Sequence, residues 1–306
     1  MNAFLEKVVR RLDTNVFCRF LPFEVYRRIH SIFGYPIIQA RMRHYLGYSP
    51  DLKAPETFSE RVADRFLKEN NSIYLKIVDK IEVREYIADR LGAEYLIPVI
   101  GVLTTANDLK LKHLAEPCAI KLVHASGRNI FAQKGHQQID EIREQLATWQ
   151  SELYGFQELV WFVQKIPRRI LIEKMLIDEH GNVPKDYKFF VFGGKVHMIQ
   201  VDSDRFGDHR RNFYDPAWNK MDLQLTYKNG EFDERPQNLE KMVEIAESLG
   251  KEFDFMRVDL YSHGSKVYFG ELTPCPGLGR EKFIPGEFDT KLGALWSESA
   301  PVLKSV

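Results

Sequence analysis

Two short stretches in the C-terminal part of the chain carry the residues with the most evident chemistry. Arg257-Val258-Asp259 and Phe269-Gly270-Glu271-Leu272-Thr273-Pro274 each read as a strand, and each bears an acidic residue. Side chains alternate faces along a strand, so Arg257 shares a face with Asp259, and Glu271 with Thr273. If those faces coincide, two carboxylates and a hydroxyl converge on one point. Hard oxygen ligands there suit Mg²⁺, which commonly takes one or two carboxylates plus substrate phosphates. Arg257 beside them can neutralise charge in phosphate transfer. A structural ion pair on an exposed strand pair would look the same at this level.

A second constellation lies earlier. Lys121 stands inside the apolar run Ala119-Ile120-Lys121-Leu122-Val123, followed by His124-Ala125-Ser126-Gly127-Arg128-Asn129. A strand lysine among apolar neighbours is costly unless its ammonium meets an anion. The small-residue turn after it exposes backbone N–H groups of the kind that cradle phosphates. The spacing is not that of a Walker A loop. A snorkelling lysine beside an ordinary hairpin is the alternative. A third piece, Ile170-Leu171-Ile172-Glu173-Lys174-Met175-Leu176, is an apolar strand that ends in charge. It can read an adenine edge through its backbone, or it can simply be a buried strand reaching solvent. In Asp186-Tyr187-Lys188, the lysine faces opposite to its aromatic neighbours, toward phosphate or toward solvent from an edge strand.

Regular elements must position these groups. Residues 1–47 read as short helices. Phe4, Leu5, Val8, Val9 and Leu12 recur at helical spacing, then Val25, Ile29 and Phe33, then Ile37, Ile38, Met42 and Leu46. This segment holds eight Lys or Arg against three Asp or Glu. Such helices can lie on an anionic membrane. A helical cap packed on the main domain is the favoured expectation, because apolar stripes usually face a core. Thr57 or Ser59 is placed to cap a helix running to about Asn70, and Asp79 starts another that Gly92 ends. Strands are expected at Tyr95–Leu103, Pro117–Val123, Ile130–Gln133 and Arg169–Leu176, with a helix over Ile139–Tyr154. Tyr187–Phe192 and Lys195–Val201 alternate around Gly193-Gly194, a hairpin signal. A helix over Asn238–Leu249 stops at Gly250, and strands follow at Met256–Tyr261 and Lys266–Thr273. The fold class is α+β.

The order of the chemical pieces resembles that of the ATP-grasp superfamily. More closely, the chain is similar to the TupA-like ATP-grasp family, associated with teichuronopeptide and other surface-polysaccharide biosynthesis. The residues carrying the resemblance are Glu56-Thr57-Phe58-Ser59-Glu60-Arg61, Asp79-Lys80-Ile81-Glu82-Val83-Arg84, Tyr95-Leu96-Ile97-Pro98, Lys121 through Asn129, Glu173-Lys174, Asp186-Tyr187-Lys188, Arg257-Val258-Asp259-Leu260-Tyr261 and Phe269-Gly270-Glu271-Leu272-Thr273. They span about residues 50 to 295. The resemblance implies two α+β lobes gripping ATP: an N-terminal helical segment over 1–55, a pre-grasp region over 56–116, a small lobe over 117–172 and a large lobe over 173–306.

It also implies roles. Lys121 contacts the α- and β-phosphates, and Arg84 stands where many relatives place another phosphate lysine. His124, Ser126 and Gly127 form the phosphate loop. Glu173 and Met175 border the adenine, and Lys174, Asp186 and Lys188 complete the nucleotide candidates. Asp259, Glu271 and Thr273 hold Mg²⁺, although Thr273 stands where the superfamily usually has Asn. Arg257 and Lys188 are the catalytic candidates. Pro276-Gly277-Leu278-Gly279-Arg280 lines the acceptor side, so Gly277 and Arg280 join Arg205 and Arg211 as substrate-binding candidates.

The implied activity is an ATP- and Mg²⁺-dependent carboxylate–amine ligation through an acylphosphate, with a uronic acid of a surface glycan and an amino acid as partners. Two rivals stay open. One is a kinase acting on a hydroxyl, with Asp204 or Asp186 as general base. The other is an assembly protein that binds ATP without turnover.

Bulk composition agrees with a globular protein. Apolar residues make up 44% of the 306, and 43 basic residues balance 43 acidic ones, so net charge offers nothing for global polyanion binding. Cys18, Cys118 and Cys275 form no CxxC pair or disulfide framework, which fits a reducing compartment. Neither a signal peptide nor a run of about 20 apolar residues is evident, so the cytoplasm is the expected location. The nine histidines include no HxxxH or HxH pair for zinc. Trp149 and Trp161 read as core aromatics, and Cys275 as a packing residue.

Overall fold

Among the described residues five α-helices precede the first strand: α1 (Phe23–Ile32), α2 (Pro36–Leu46), α3 (Phe58–Lys68), α4 (Ile73–Val78) and α5 (Glu82–Leu91). The computed structural model describes residues 21–133, 138–177, 183–203 and 208–299. The stripe at Phe4 to Leu12 lies outside them. Helix α2 buries Ile37, Ile38, Met42 and Leu46, the stripe expected. Helix α1 leaves its stripe largely outside, with only Ile29 half-buried. It buries Tyr26 and His30, while Val25 and Phe33 are exposed and Ile32 is 73% exposed. The aromatic ring of Tyr26, 5.1 Å from Phe156, wins the inward position over the aliphatic stripe. Among the described residues no helix is long and apolar enough to cross a membrane.

Thr57, not Ser59, caps α3. Its hydroxyl accepts the Glu60 N–H at 3.2 Å, and Glu60 Oε2 accepts the Thr57 N–H at 3.0 Å, a reciprocal capping box. Asp79 Oδ1 accepts the N–H groups of Ile81 and Glu82 ahead of α5, and Gly92, at φ +111, stops that helix. Buried Arg65 on α3 donates to the Phe255 carbonyl at 2.8 Å, pairs with Asp254 and lies 4.2 Å from the Trp296 ring centroid.

The smaller sheet comprises β1 (Val99–Leu103), β2 (Cys118–Leu122), β3 (Asn129–Ala132) and β4 (Ile170–Lys174), in the order β1-β4-β2-β3 with every pair antiparallel. Helices α6 (Ile139–Ser151) and α7 (Trp161–Lys165) intervene in the chain. Alternation makes the sheet two-faced. Cys118, Ile120 and Leu122 of β2 join Ile170 and Ile172 of β4 in a core with Ile142 and Leu146 of α6. Lys121 and Glu173 fall on the other face. A 3₁₀ turn at Ala93–Tyr95 takes the front of the strand expected at Tyr95–Leu103. That strand joins the smaller sheet although it lies within 56–116, and β4 runs through the boundary drawn at 172. Trp161 is buried, and Trp149 is only partly so, with the Arg128 guanidinium 5.6 Å from its ring centroid.

The larger sheet comprises β5 (Asp186–Phe192), β6 (Lys195–Ser203) and β7 (Arg210–Tyr214), followed in the chain by the short strand β8 (Gln224–Leu225) and helix α8 (Leu239–Gly250), then β9 (Phe255–His263) and β10 (Lys266–Thr273). Its order is β10-β9-β5-β6-β7. Strand β11 (Phe283–Ile284) pairs with β8, and α9 (Glu287–Glu298) completes the described elements. Helices α4, α7 and α9 and strands β7, β8 and β11 are not among the elements read from the sequence. The β5–β6 turn is made by Gly193 and Gly194, both at positive φ, as the hairpin signal required. The back of this sheet packs Phe189, Val191, Ile199 and Val258 with Met242 and Ile245 of α8. The front faces the smaller sheet across a cleft of about 960 Å³.

Candidate functional site

The cleft floor is the front of the larger sheet, and register decides what it presents. Strands β9 and β10 pair normally from Lys266 to Phe269, then shift at Gly270, so Glu271 stands opposite Asp259 and Thr273 opposite Arg257. Without that bulge Glu271 would face Val258, a residue of the opposite, apolar face. The two faces expected to coincide do coincide, and Gly270 is the reason. A Cβ there would lie 3.0 Å from the Asp259 carbonyl oxygen.

The row continues across the sheet. Asp259 is registered with Lys188 of β5, and Lys188 with Gln200 of β6. Strand β5 is central, so Lys188 is not on an edge, and it is only 5% exposed. Its ammonium donates to Asp259 Oδ2 at 3.1 Å, pairs with Asp186 and lies 3.8 Å from Asp202. Arg211 Nε donates to Asp202 Oδ1 at 2.7 Å, and its Nη1 to Glu281 Oε1 at 2.9 Å. Asp186 and Arg211 line the cleft and are both bound within this charge network.

Arg257 is the hub. Its Nε donates to Asp259 Oδ1 at 2.7 Å, and its Nη2 lies 2.8 Å from Asp259 Oδ2, 3.1 Å from Thr273 Oγ1 and 3.4 Å from Glu271 Oε1. Burial disfavours the charged guanidinium, but Asp259 and Glu271 outweigh it and hold the proton tightly. One cationic nitrogen thus sits among three hard oxygens from three side chains. That donor set fits Mg²⁺, given two carboxylates and a hydroxyl with phosphate oxygens to complete it.

The opposite wall comes from the smaller sheet and α5. Glu173 accepts from Lys121 Nζ at 2.7 Å and from Arg84 Nη1 at 2.8 Å, so one carboxylate serves two cations. Buried Met175 follows it. Lys174, which also lines the cleft, pairs its ammonium with Glu116 at 3.0 Å. The loop after β2 presents exposed Ser126 and Gly127, the latter at φ +71 with nothing within 4 Å of a Cβ. His124 is buried, and neither ring nitrogen has a hydrogen-bond partner among the described residues. Burial, with Arg168 and Lys80 nearby, pushes its pKa down to about 4.

Gly277 and Arg280 line the end of the cleft beyond Thr273. Arg205 and Asp204 lie outside the described residues. Among the described residues no cluster of three or more His, Cys, Asp or Glu forms a metal site, which leaves the carboxylate pair with Thr273 as the candidate.

Lys80 was missed. Its ammonium donates to the Ala125 carbonyl at 2.7 Å and the Val123 carbonyl at 3.3 Å, at the root of the loop, and burial lowers its pKa. In the sequence it stands in the Asp79–Arg84 motif with no local signal that its ammonium reaches the loop. Gln200 and Asp202 were missed too, although polar residues alternating with Ile199 and Val201 are a visible signal of a polar face.

A family model described as TupA-like ATPgrasp matches residues 60–297. No curated protein matches the chain in sequence. A D-alanine–D-alanine ligase from Bacillus anthracis is 17% identical, with a TM-score of 0.47 over 73% of this chain and 67% of that one. The ATP-grasp ligase PsnB, complexed with minimal precursor, is 9% identical, with a TM-score of 0.41 over 78% and 61%. A D-alanine–D-alanine ligase from Helicobacter pylori is 14% identical, with a TM-score of 0.42 over 82% and 70%. The chain spans roughly two thirds of the length of these structures.

Proposed function

Because the chain belongs to the TupA-like ATP-grasp family, we propose that it is an ATP-dependent, Mg²⁺-requiring carboxylate–amine ligase. The observation that carries this reading is the Arg257 nitrogen held among Asp259, Glu271 and Thr273, opposite a wall bearing Lys80, Arg84 and Lys121. An acidic floor and a basic wall across one cleft suit a metal-bound polyphosphate. Mg²⁺, when bound by Asp259, Glu271 and Thr273, supplies charge neutralisation at the transferring phosphoryl group.

The chain's own groups do the rest. Lys121 and Arg84 meet phosphate oxygens. The N–H groups of Ser126 and Gly127 cover them and exclude water. Glu173 and Met175 border the adenine. Arg257 and Lys188 stabilise charge on the phosphoryl oxygens. The acceptor carboxylate oxygen bonds to the γ-phosphorus as the bond to the β,γ-bridging oxygen breaks and ADP departs. The amine nitrogen then bonds to the acyl carbon. Phosphate leaves with the amine's proton, and no protein nucleophile is needed. For the partners we take a uronic acid of a surface polysaccharide or its precursor and an amino acid, supported by the family resemblance alone.

The test is isothermal titration with ATP, with and without Mg²⁺, on wild type, Lys121→Ala and Glu271→Gln. Metal-dependent binding lost in both variants is expected. A folded wild type that binds neither ATP nor ADP overturns the reading. Product analysis separates the chemistries: a ligase releases ADP and phosphate, a kinase ADP alone.

A further inference from the structure

Arg280 leaves the 3₁₀ turn Pro276–Gly279, which is clamped on α3. A Cβ on Gly279 would lie 2.2 Å from the Ser59 carbonyl oxygen. The Arg280 backbone is therefore pinned, while its side chain, 16% exposed, lines the cleft. Its Nε and Nη2 are buried and have no hydrogen-bond partner among the described residues. Its Nη1 is 3.9 Å from Glu158 Oε1, and Arg41 Nη1 of α2 already lies 3.2 Å from that same oxygen. Two guanidinium groups share one carboxylate oxygen. A buried, unsatisfied guanidinium edge is costly, and an anion relieves the missing hydrogen bonds.

The unpartnered edge is specific. Nε with Nη2 is the edge that Arg257 turns to Asp259, at 2.7 and 2.8 Å. The two parallel donors match the two oxygens of a carboxylate.

We infer that Arg280, backed by the Arg41–Glu158 pair, turns its Nε–Nη2 edge into the cleft to bind a carboxylate of the non-nucleotide substrate. Arg280 is a binding residue, and Arg41 acts through Glu158 as a positioning residue. Arg41 lies outside the 60–297 match, so recognition extends into the N-terminal helices. The assignment rests on the ligase reading only in treating the bound molecule as a substrate. An amino acid or a sugar acid can supply the carboxylate, and the test has an arm for each.

The experiment is a thermal-shift titration of the full chain with a non-hydrolysable ATP analogue and Mg²⁺ at constant ionic strength. The probes are glutamate and alanine against their amides, and glucuronate against glucose. At least one carboxylate is expected to raise Tm more than its neutral counterpart. Arg280→Gln should weaken that binding about 10- to 100-fold. Arg280→Lys, which keeps the charge but not the fork, and Arg41→Gln should weaken it less. The inference is overturned if no carboxylate outperforms its neutral counterpart, or if Arg280→Gln responds like wild type. Failure of the nucleotide analogue to stabilise wild type counts against the ligase reading instead, and the carboxylate arms still decide Arg280.

Discussion

Arg257 and Arg280 line one cleft under opposite conditions. On the floor, Arg257 contacts Asp259, Glu271 and Thr273, and the Asp259 carboxylate is shared onward with Lys188. At the far end, Arg280 has one distant carboxylate shared with Arg41, and two buried nitrogens without hydrogen-bond partners among the described residues. Both side chains are largely buried, so burial does not distinguish them. The set of partners does. A saturated arginine holds an assembly together, and an unsaturated one is prepared to hold something else.

The largest expected effect tests that contrast on stability. Arg257→Gln leaves Asp259 and Glu271 without their bridging cation and should cost about 3–5 kcal/mol, as breaking a buried pair does. Arg280→Gln removes a charge already poorly compensated and should change stability by about 1 kcal/mol or less. Urea unfolding of both variants checks this, and equal losses would remove the distinction between the two regions.

The next effect sharpens the account of the floor. Gly270→Val places a side chain against the Asp259 carbonyl and should cost about 1–3 kcal/mol. Moving Glu271 out of register should weaken Mg²⁺-dependent ATP binding further than the stability loss explains. Titration at a temperature where the variant is fully folded measures this. Unchanged metal dependence would show that the bulge does not position Glu271.

The smallest effect concerns the wall. Its buried His124 has a folded pKa near 4, below its ordinary 6.5. Between these values the unfolded chain binds a proton that the folded chain does not, so His124 contributes a loss of stability as pH falls from 6.5 through 4. His124→Gln should flatten that part of a pH–stability curve. An unaltered slope would mean that other groups produce it.

Much of the site's inventory is local information. Lys121 inside an apolar strand, the small-residue loop after it, the Glu173 strand end and the two acidic strands are each visible over a few residues. Strand alternation then assigns each side chain a face, because its period is intrinsic to the backbone. What alternation cannot supply is the pairing of one strand with another. The pattern around Lys188 fits an edge strand as well as a central one, and the sheet order puts β5 at the centre. Val25 and Phe33 of the stripe expected to face inward on α1 are exposed because Tyr26 meets Phe156, a residue far along the chain.

The sequence by itself determined the α+β class, the family and the order of its chemical groups, since these depend on residue type and short-range spacing. Tertiary structure alone decided that a one-residue bulge brings Glu271 opposite Asp259, that Lys80 reaches the loop carbonyls, and that Arg280 meets Arg41 at Glu158. Each depends on register or on partners distant in sequence, and such contacts form only when the whole chain packs.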